Sequence, residues 1–322
     1  MSKYILKNTL KLIALLFFVS LVTFTLIELS PIDPITAYIN SADAVSAEQK
    51  IQIEAYFGLN QSPVERYFLW LSNILKGDFG ISIIYRIPVI EVISLKFANS
   101  LALMLSSFVI SGSLGLSIGI AMGKNAIADK VLKPICLILS ATPTFFIGIV
   151  FLLIFAVKLN IFPVAFSVPI GKLSNEISLI DNIYHLILPV LALSVASFSG
   201  IALHTREKTI EILQSDYILL AKTRGFSEKK IISTHLIRNV MLPFITLQFA
   251  SLSEIFGGSI LAETVFSYPG LGSVIVDAGI SGDVTLLLGV TMFSCVFVFA
   301  GNFTANVLYG IIDPKIRLGG GI

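Results

Sequence analysis

Few side chains in this sequence have the spacing that catalysis or metal binding requires. The three histidines, His185, His204 and His235, are scattered, and neither histidines nor cysteines show the spacing of a metal site. Residues 119–125 approach a phosphate-binding loop, but the stretch is one residue short and lacks the serine or threonine that coordinates magnesium. We therefore predict that the chain has no catalytic residue, binds neither ATP nor a metal ion, and is not an enzyme.

One carboxylate lies inside an apolar stretch. Glu254 is about 21 Å along the helix predicted to contain it, which places it beyond the middle of a membrane. Charged side chains are costly there and usually face the protein interior or a watery path. We predict that Glu254, with Gly257 and Gly258, lines a translocation pathway and meets a cationic or amine-bearing substrate. The alternative is a hydrogen bond with Ser251, with Thr264 or with a partner protein.

A basic segment, 204–239, separates two of the apolar stretches and carries seven of the chain's 22 Lys and Arg residues. Its first part, 205–224, is predicted to be a helix that ends at Gly225, because glycine adopts a left-handed conformation at little cost. Ser227 can then cap a second short helix. A solvated loop would explain the charge but not the apolar residues at 218–221. We therefore expect this segment to bind a soluble partner.

The composition indicates a membrane protein. Hydrophobic residues make up 55% of the chain and charged residues only 13%, against about 25% in soluble domains. A spanning segment needs roughly 20 apolar residues, and its backbone must satisfy its own hydrogen bonds, which a helix does and an open sheet does not. We therefore predict an all-α membrane protein with six transmembrane helices, at residues 12–29, 97–123, 134–157, 186–203, 240–262 and 284–312.

The basic residues predict the orientation. With the N-terminus inside, the inner segments hold fifteen Lys and Arg residues and the outer segments hold seven, which places both termini and the basic segment in the cytoplasm. The first span is predicted to be a retained anchor, because its apolar stretch is longer than that of a typical signal peptide. A net charge of +2 gives no reason to expect a nucleic acid as partner.

The outer loops carry local predictions of their own. Residues 62–75 are expected to form a helix that begins at Ser62 and Pro63 and has an apolar stripe. That stripe could be covered by the membrane surface or by a partner domain, but we expect the chain's own spans to cover it. The Pro-Gly pair within 266–272 predicts a tight turn. Glu263, just before it, is expected to be an ordinary solvated carboxylate.

A series of different short motifs extends along nearly the whole chain. Those of the basic segment are Asp216-Tyr217, Ala221, Gly225, His235 and Arg238-Asn239, followed by Pro243. Elsewhere the motifs are Asp33-Pro34, Gly58-Leu59, Gly77-Asp78-Phe79-Gly80, Pro143, Gly257-Gly258, Glu263, Pro269-Gly270-Leu271-Gly272 and residues 313–317. This series resembles the permease subunits of bacterial ATP-binding-cassette (ABC) importers, in the branch that imports peptides and nickel. One departure is that Leu219 and Leu220 replace two residues of the general Glu-Ala-Ala…Gly motif.

The resemblance implies a type I importer permease, with a helix and a long extracytoplasmic loop in 1–96 and a five-helix core in 97–322. It implies a second, homologous permease, two ATPase subunits that bind ATP and magnesium, and an extracytoplasmic solute-binding protein that delivers peptides, nickel or a nickel chelate. The residues implied to couple to the ATPase are Asp216, Tyr217, Ala221, Arg224 and Gly225. A self-sufficient secondary transporter or channel is the alternative, but it would predict inverted repeats and several buried charges.

Overall fold

The computed structural model describes residues 2–29, 61–173 and 176–312, with side chains for 9–29, 61–173 and 176–304. The motifs Asp33-Pro34, Gly58-Leu59 and 313–317 lie outside these residues. The regular structure of the described chain is helical. Its α-helices are α1 (Ser2–Glu28), α2 (Pro63–Leu75), α3 (Val89–Lys124), α4 (Ala126–Ser140), α5 (Thr144–Phe151), α6 (Leu179–Leu213), α7 (Asp216–Thr223), α8 (Glu228–Ile231), α9 (Ile237–Ala250), α10 (Leu252–Val265), α11 (Leu271–Ser281) and α12 (Val284–Ile312). Two π-helices, Leu152–Lys158 and Ile232–Leu236, extend α5 and precede α9.

The predicted all-α membrane architecture is confirmed. Four helices in the described chain, α1, α3, α6 and α12, are each long and apolar enough to cross a membrane. The number rises to six if two bent helix pairs are each taken as one span. The predicted span 134–157 is such a pair, because α4 and the segment Thr144–Lys158 meet at 108°. The bend lies at Pro143, and the residue before a proline avoids the helical conformation.

The described chain divides into two compact units. The first contains α1, α2, the start of α3, α11 and the first part of α12, within residues 1–98 and 269–299. The second contains the rest of α3, α4 to α10 and the end of α12, within 99–268 and 300–322. The division into 1–96 and 97–322 made from the sequence remains a prediction.

In the first unit, a fully buried carboxylate ties a loop to a helix. Asp283 is the N-cap residue of α12, and its Oδ1 accepts a hydrogen bond from the Leu286 N–H (3.0 Å). Its Oδ2 accepts hydrogen bonds from Ser82 Oγ (2.6 Å) and from the Ile83 N–H (2.7 Å). Beside this contact lies an aliphatic core from α3, α11 and α12: Val89, Val92, Ile93, Leu271, Val274, Ala278, Leu286 and Val290.

Helix α2 begins as predicted. Ser62 and Glu65 form a reciprocal capping box, and Pro63 occupies the first helical position. The backbone and side-chain hydrogen bonds from Ser62 lower the pKa of the Glu65 carboxyl group. The expectation that the chain's own spans cover the apolar stripe holds for Tyr67, which is 4% exposed and packs on α1, but not for Val64 and Phe68, which are exposed.

In the second unit, α3 and α6 approach closely along a row of glycines. Gly115, Gly119 and Gly123 recur at every fourth residue of α3 and face α6. A β-carbon at Gly119 would lie 2.5 Å from the Thr205 Cβ and 2.7 Å from the Ala202 carbonyl oxygen. The stretch that approaches a phosphate-binding loop in sequence is therefore a helix-packing surface, of the kind that small residues form in membranes.

One prediction at the end of α10 is wrong. Glu263 is fully buried, not solvated, and it accepts a hydrogen bond from Ser100 Oγ (2.7 Å). The predicted tight turn is present at residues 266–270, and α11 begins at Leu271. Burial, together with the charge of Glu263, raises the pKa of Tyr268 to about 12. The end of α10 is thus part of a buried polar structure.

Candidate functional site

The basic segment starts as the continuation of a membrane helix. Helix α6 runs from Leu179 to Leu213, so it extends the predicted span 186–203 into the segment without a break. The single helix predicted at 205–224 is instead two helices, because the chain leaves the helical conformation at Ser215 and α7 begins at Asp216. A serine before an aspartate is a typical helix start, so the sequence did carry the signal for this break.

Gly225 ends α7 as predicted. It is left-handed (φ +80°), its N–H donates to the Lys222 carbonyl (3.0 Å), and the Phe226 N–H donates to the Ala221 carbonyl (3.1 Å). These two hydrogen bonds define a Schellman motif. The predicted cap of the next helix is also confirmed, because the Ser227 hydroxyl accepts a hydrogen bond from the Lys230 N–H. We call α7, this turn and α8 the coupling knob, residues 216–231.

The inner face of the coupling knob is apolar and packed. Ile218 is fully buried and Ala221 is 5% exposed. Ala221 therefore packs against the chain's own helices in this structure. The side chains around them come from α3, α6, α9, the knob itself and the π-helical turn Ile232–Leu236 that follows it: Leu116, Ile120, Ile212, Leu213, Phe226, Ile231, Ile232, Leu236 and Val240. This core packs the coupling knob closely against the ends of the membrane helices.

The outer face of the coupling knob combines charged and apolar side chains. Leu219 and Leu220 are 63% and 51% exposed, although leucine usually lies inside a fold. The predicted coupling residues Asp216, Tyr217 and Arg224 are exposed on the same short element. An exposed apolar patch with a polar rim is typical of a protein-binding surface.

Aromatic and charged contacts hold the coupling knob at its base. The His235 ring lies between Phe226 and Tyr217, with ring centroids 6.3 Å and 6.2 Å apart. The Lys230 ammonium lies 4.3 Å from the Phe226 ring centroid. His235 therefore packs as an aromatic ring within the coupling knob.

The predicted pathway residues lie on α10, just beyond a bend. Helices α9 and α10 meet at 44°, and at the bend Ser251 Oγ donates to the Gln248 carbonyl (2.7 Å). The Gln248 amide in turn donates to the Phe108 carbonyl on α3 (2.6 Å). Gly112 makes room for this amide, because a β-carbon there would lie 2.8 Å from it. Gln248, which has no recognisable signal in the sequence, thus links the residues at the bend to α3.

Glu254 and Gly257 face outward from α10, whereas Gly258 is buried against Leu193. The Ser251 and Thr264 hydroxyls, proposed as alternatives for Glu254, donate instead to backbone carbonyls of their own helices. The structure therefore places Glu254 and Gly257 on one open face and separates Gly258 from them. Within the residues described, no group of three potential metal ligands occurs.

Two protein-family models match the chain. The model described as "Binding-protein-dependent transport system inner membrane component" matches residues 113–318, and its N-terminal companion matches residues 1–103. The chain belongs to this family. It is thus a non-catalytic, multi-pass component of an ABC transport system in the inner membrane, as the resemblance of its motifs implied.

Several known permease proteins are similar to this chain over nearly their full length. It is 32% identical to the oligopeptide transport system permease protein AppB of Bacillus subtilis, over 98% of this chain and 100% of AppB. The oligopeptide permease protein OppB of Haemophilus influenzae is 33% identical over 98% and 100% of the two chains. The glutathione transport system permease protein GsiC of Escherichia coli K12 is 31% identical over 98% and 99%.

A solved structure shares the fold. A chain of the inward-facing MetNI methionine ABC transporter superposes with a TM-score of 0.56 at 15% sequence identity, over 70% of this chain and 97% of that one. The type I importer permease fold is therefore shown for most of the family member.

Proposed function

We propose that this permease forms the translocation pathway for peptides in an ATP-driven importer. The names of its relatives support peptides as cargo, because two are called oligopeptide permeases and one a glutathione permease. Nickel, the other cargo that the motifs implied, is absent from those three names. In the proposed assembly a second permease pairs with this one, two ATPase subunits bind ATP and magnesium, and a solute-binding protein delivers the peptide.

The observation that carries the proposal is the construction of the coupling knob. Its inner face is locked by a buried core, and its outer face presents Tyr217, Leu219 and Leu220 to a partner. Because α6 continues unbroken from the membrane to Leu213, a displacement of the knob is transmitted to the spans without a flexible linker. ATP-driven closure of the ATPase pair would thus rock the spans between inward-open and outward-open states.

Gly225 gives a direct test of this transmission. Valine at this position meets open space, but its β-branched side chain disfavours the left-handed backbone that the Schellman motif needs. We expect a Gly225→Val variant, reconstituted with its partner subunits in vesicles, to keep ATP hydrolysis while losing most ATP-dependent peptide uptake. Both rates are measured on the same vesicles.

Gly171→Val is the matched control. Gly171 is also left-handed (φ +87°) and also has open space around it, but it lies in the loop between α5 and α6. We expect its uptake to stay near that of the unchanged protein. Normal uptake by Gly225→Val would overturn the coupling role, and uphill peptide uptake by this chain alone would overturn the importer assignment.

A further inference from the structure

Part of the apolar stripe on helix α2 is not covered by the described chain. Val64, Phe68 and Leu75 lie on one helix face and are 64%, 58% and 81% exposed. The helix is held to α1 by two contacts on its other sides. Arg66 forms an ion pair with Glu28, and the Tyr67 hydroxyl hydrogen-bonds to Ser20 Oγ (2.9 Å).

The two contacts lie at different depths along a membrane span. Ser20 precedes Glu28 by eight residues, which is about 12 Å along a helix. The Tyr67 ring also packs edge-on against Phe24 and Phe17, with centroids 5.4 Å and 6.4 Å apart. The hydrocarbon core of a bilayer is about 30 Å thick. Tyr67 therefore reaches well below the end of α1, into the depth of one leaflet.

The order of residues around α2 shows which way the stripe points. Successive residues are turned by about 100° around a helix axis. Arg66 contacts the end of α1, and the next residue, Tyr67, contacts a deeper level. A further rotation around the helix axis in the same direction points Phe68 toward the hydrocarbon. Val64 and Leu75 lie on the same face as Phe68 and point the same way. Arg66 is correspondingly left at the level of the headgroups.

The surface beside this stripe belongs to α1, a helix apolar and long enough to cross a membrane. Only 11% of the apolar stretch of α1 is buried, and Phe18 and Leu26 are 64% and 63% exposed. The stripe on α2 continues this apolar surface, because the Tyr67 contact joins the two helices.

We infer that α2 is an interfacial helix whose stripe of Val64, Phe68 and Leu75 is immersed in the leaflet at the C-terminal end of α1. Its occupant is the acyl-chain region of the bilayer, as for other amphipathic helices that lie in a membrane surface. The helix thereby fixes the depth of the loop that precedes α3. The inference is independent of the transported cargo.

Spin labels report the depth directly. Cys136 and Cys295 are replaced by alanine, and Phe68→Cys or Lys76→Cys carries a nitroxide in the complete transporter, reconstituted in phosphatidylcholine vesicles without solute-binding protein. Collisions of the label are measured with oxygen, which concentrates in lipid, and with a nickel chelate, which stays in water. We expect the oxygen-to-nickel ratio to be several times higher at position 68 than at position 76.

Two results would overturn the inference. A label at 68 that collides with the nickel chelate as often as one at 76 would mean that the stripe is open to water and free for a soluble protein. A label at 68 shielded from both reagents would mean that protein covers the stripe. ATP hydrolysis by the same vesicles shows that the labelled transporter is folded.

Discussion

At the scale of single residues, two buried carboxylates connect distant parts of the chain through hydrogen bonds. Glu263 and Asp283 are both fully buried, and both accept hydrogen bonds from serine hydroxyls, Ser100 and Ser82. A buried charge is costly unless hydrogen bonds compensate it, so such residues are strongly tied to their surroundings. Asp283 is the better characterised case, because one of its oxygens caps α12 and the other binds a loop.

We predict that Asp283→Ala releases this loop. Removal of the carboxylate leaves the Ser82 hydroxyl and the Ile83 and Leu286 N–H groups without their acceptor, which should cost about 3–5 kcal/mol of local stability. Arg86, exposed in the same loop, gives a cleavage site for trypsin. Because cleavage follows the population of the opened loop, we expect it to accelerate by about two to four orders of magnitude.

Two variants make the test specific. Asp283→Asn keeps one carbonyl oxygen at the same place, so its cleavage rate should fall between those of the unchanged protein and Asp283→Ala. Asp277→Ala removes an exposed carboxylate from α11 in the same unit and should leave the rate unchanged. If Asp283→Ala is cleaved no faster than Asp277→Ala, the carboxylate does not hold the loop.

At the level of helices, the closest packing depends on glycines, which have no side chain. Gly112 admits the Gln248 amide, and Gly115, Gly119 and Gly123 let α6 approach α3. In a membrane, close approach is valuable because lipid tails are as apolar as the helices, so dispersion contacts replace the hydrophobic effect as the source of association.

We predict that Gly119→Ala destabilises the contact between α3 and α6 by about 1–3 kcal/mol, the usual cost of overpacking. The added methyl group would meet the Ala202 carbonyl and Thr205 Cβ, neither of which is the far end of a flexible side chain. The measurement is the thermal unfolding midpoint of the chain in detergent. Gly200→Ala, in α6 with open space at its β-carbon, should be neutral or stabilising. Equal midpoints for the two variants would contradict the packing role of Gly119.

The elements that the sequence predicted best are those with a local signal. Ser62 and Pro63 start α2, Gly225 ends α7, and Ser227 caps α8, because each residue determines the backbone conformation at its own position. The spans were recognised by apolar length alone, a signal that contains no direction. Hydropathy is the same on both sides of the 108° bend, so apolar length did not reveal it, although Pro143 marks its position in the sequence.

Other features had no local signal because distant residues create them. Glu263 precedes a predicted loop and was expected in solvent, yet Ser100, 163 residues away, donates a hydrogen bond to it in a buried site. Ala221 carries the coupling motif in sequence, but only the fold shows that it faces inward.

The break at Ser215 is a different case. It had a local signal, which the continuous helical pattern of 205–224 concealed.

At the scale of the whole molecule, the open face of α10 is the surface that we predict to contact the transported peptide. Glu254 is exposed in the single chain, on the same face as Gly257. Such a carboxylate is costly in lipid and is more stable beside water or a partner, as on a pathway between two permeases. A peptide with a free amino terminus carries the positive charge that Glu254 would attract, whereas its acetylated form does not.

We predict that Glu254→Gln lowers the uptake of peptides with a free amino terminus but not of the same peptides after N-acetylation. An ion pair that keeps contact with water contributes roughly 1 kcal/mol, which is about fivefold in apparent affinity. The measurement is ATP-dependent uptake into vesicles that hold the complete transporter, at peptide concentrations below saturation. The acetylated peptide serves as the internal control, because any loss of folding or coupling would lower both rates. An equal loss for both peptides would mean that Glu254 supports the helices around the pathway and does not meet the cargo, and no loss for either would remove it from the pathway.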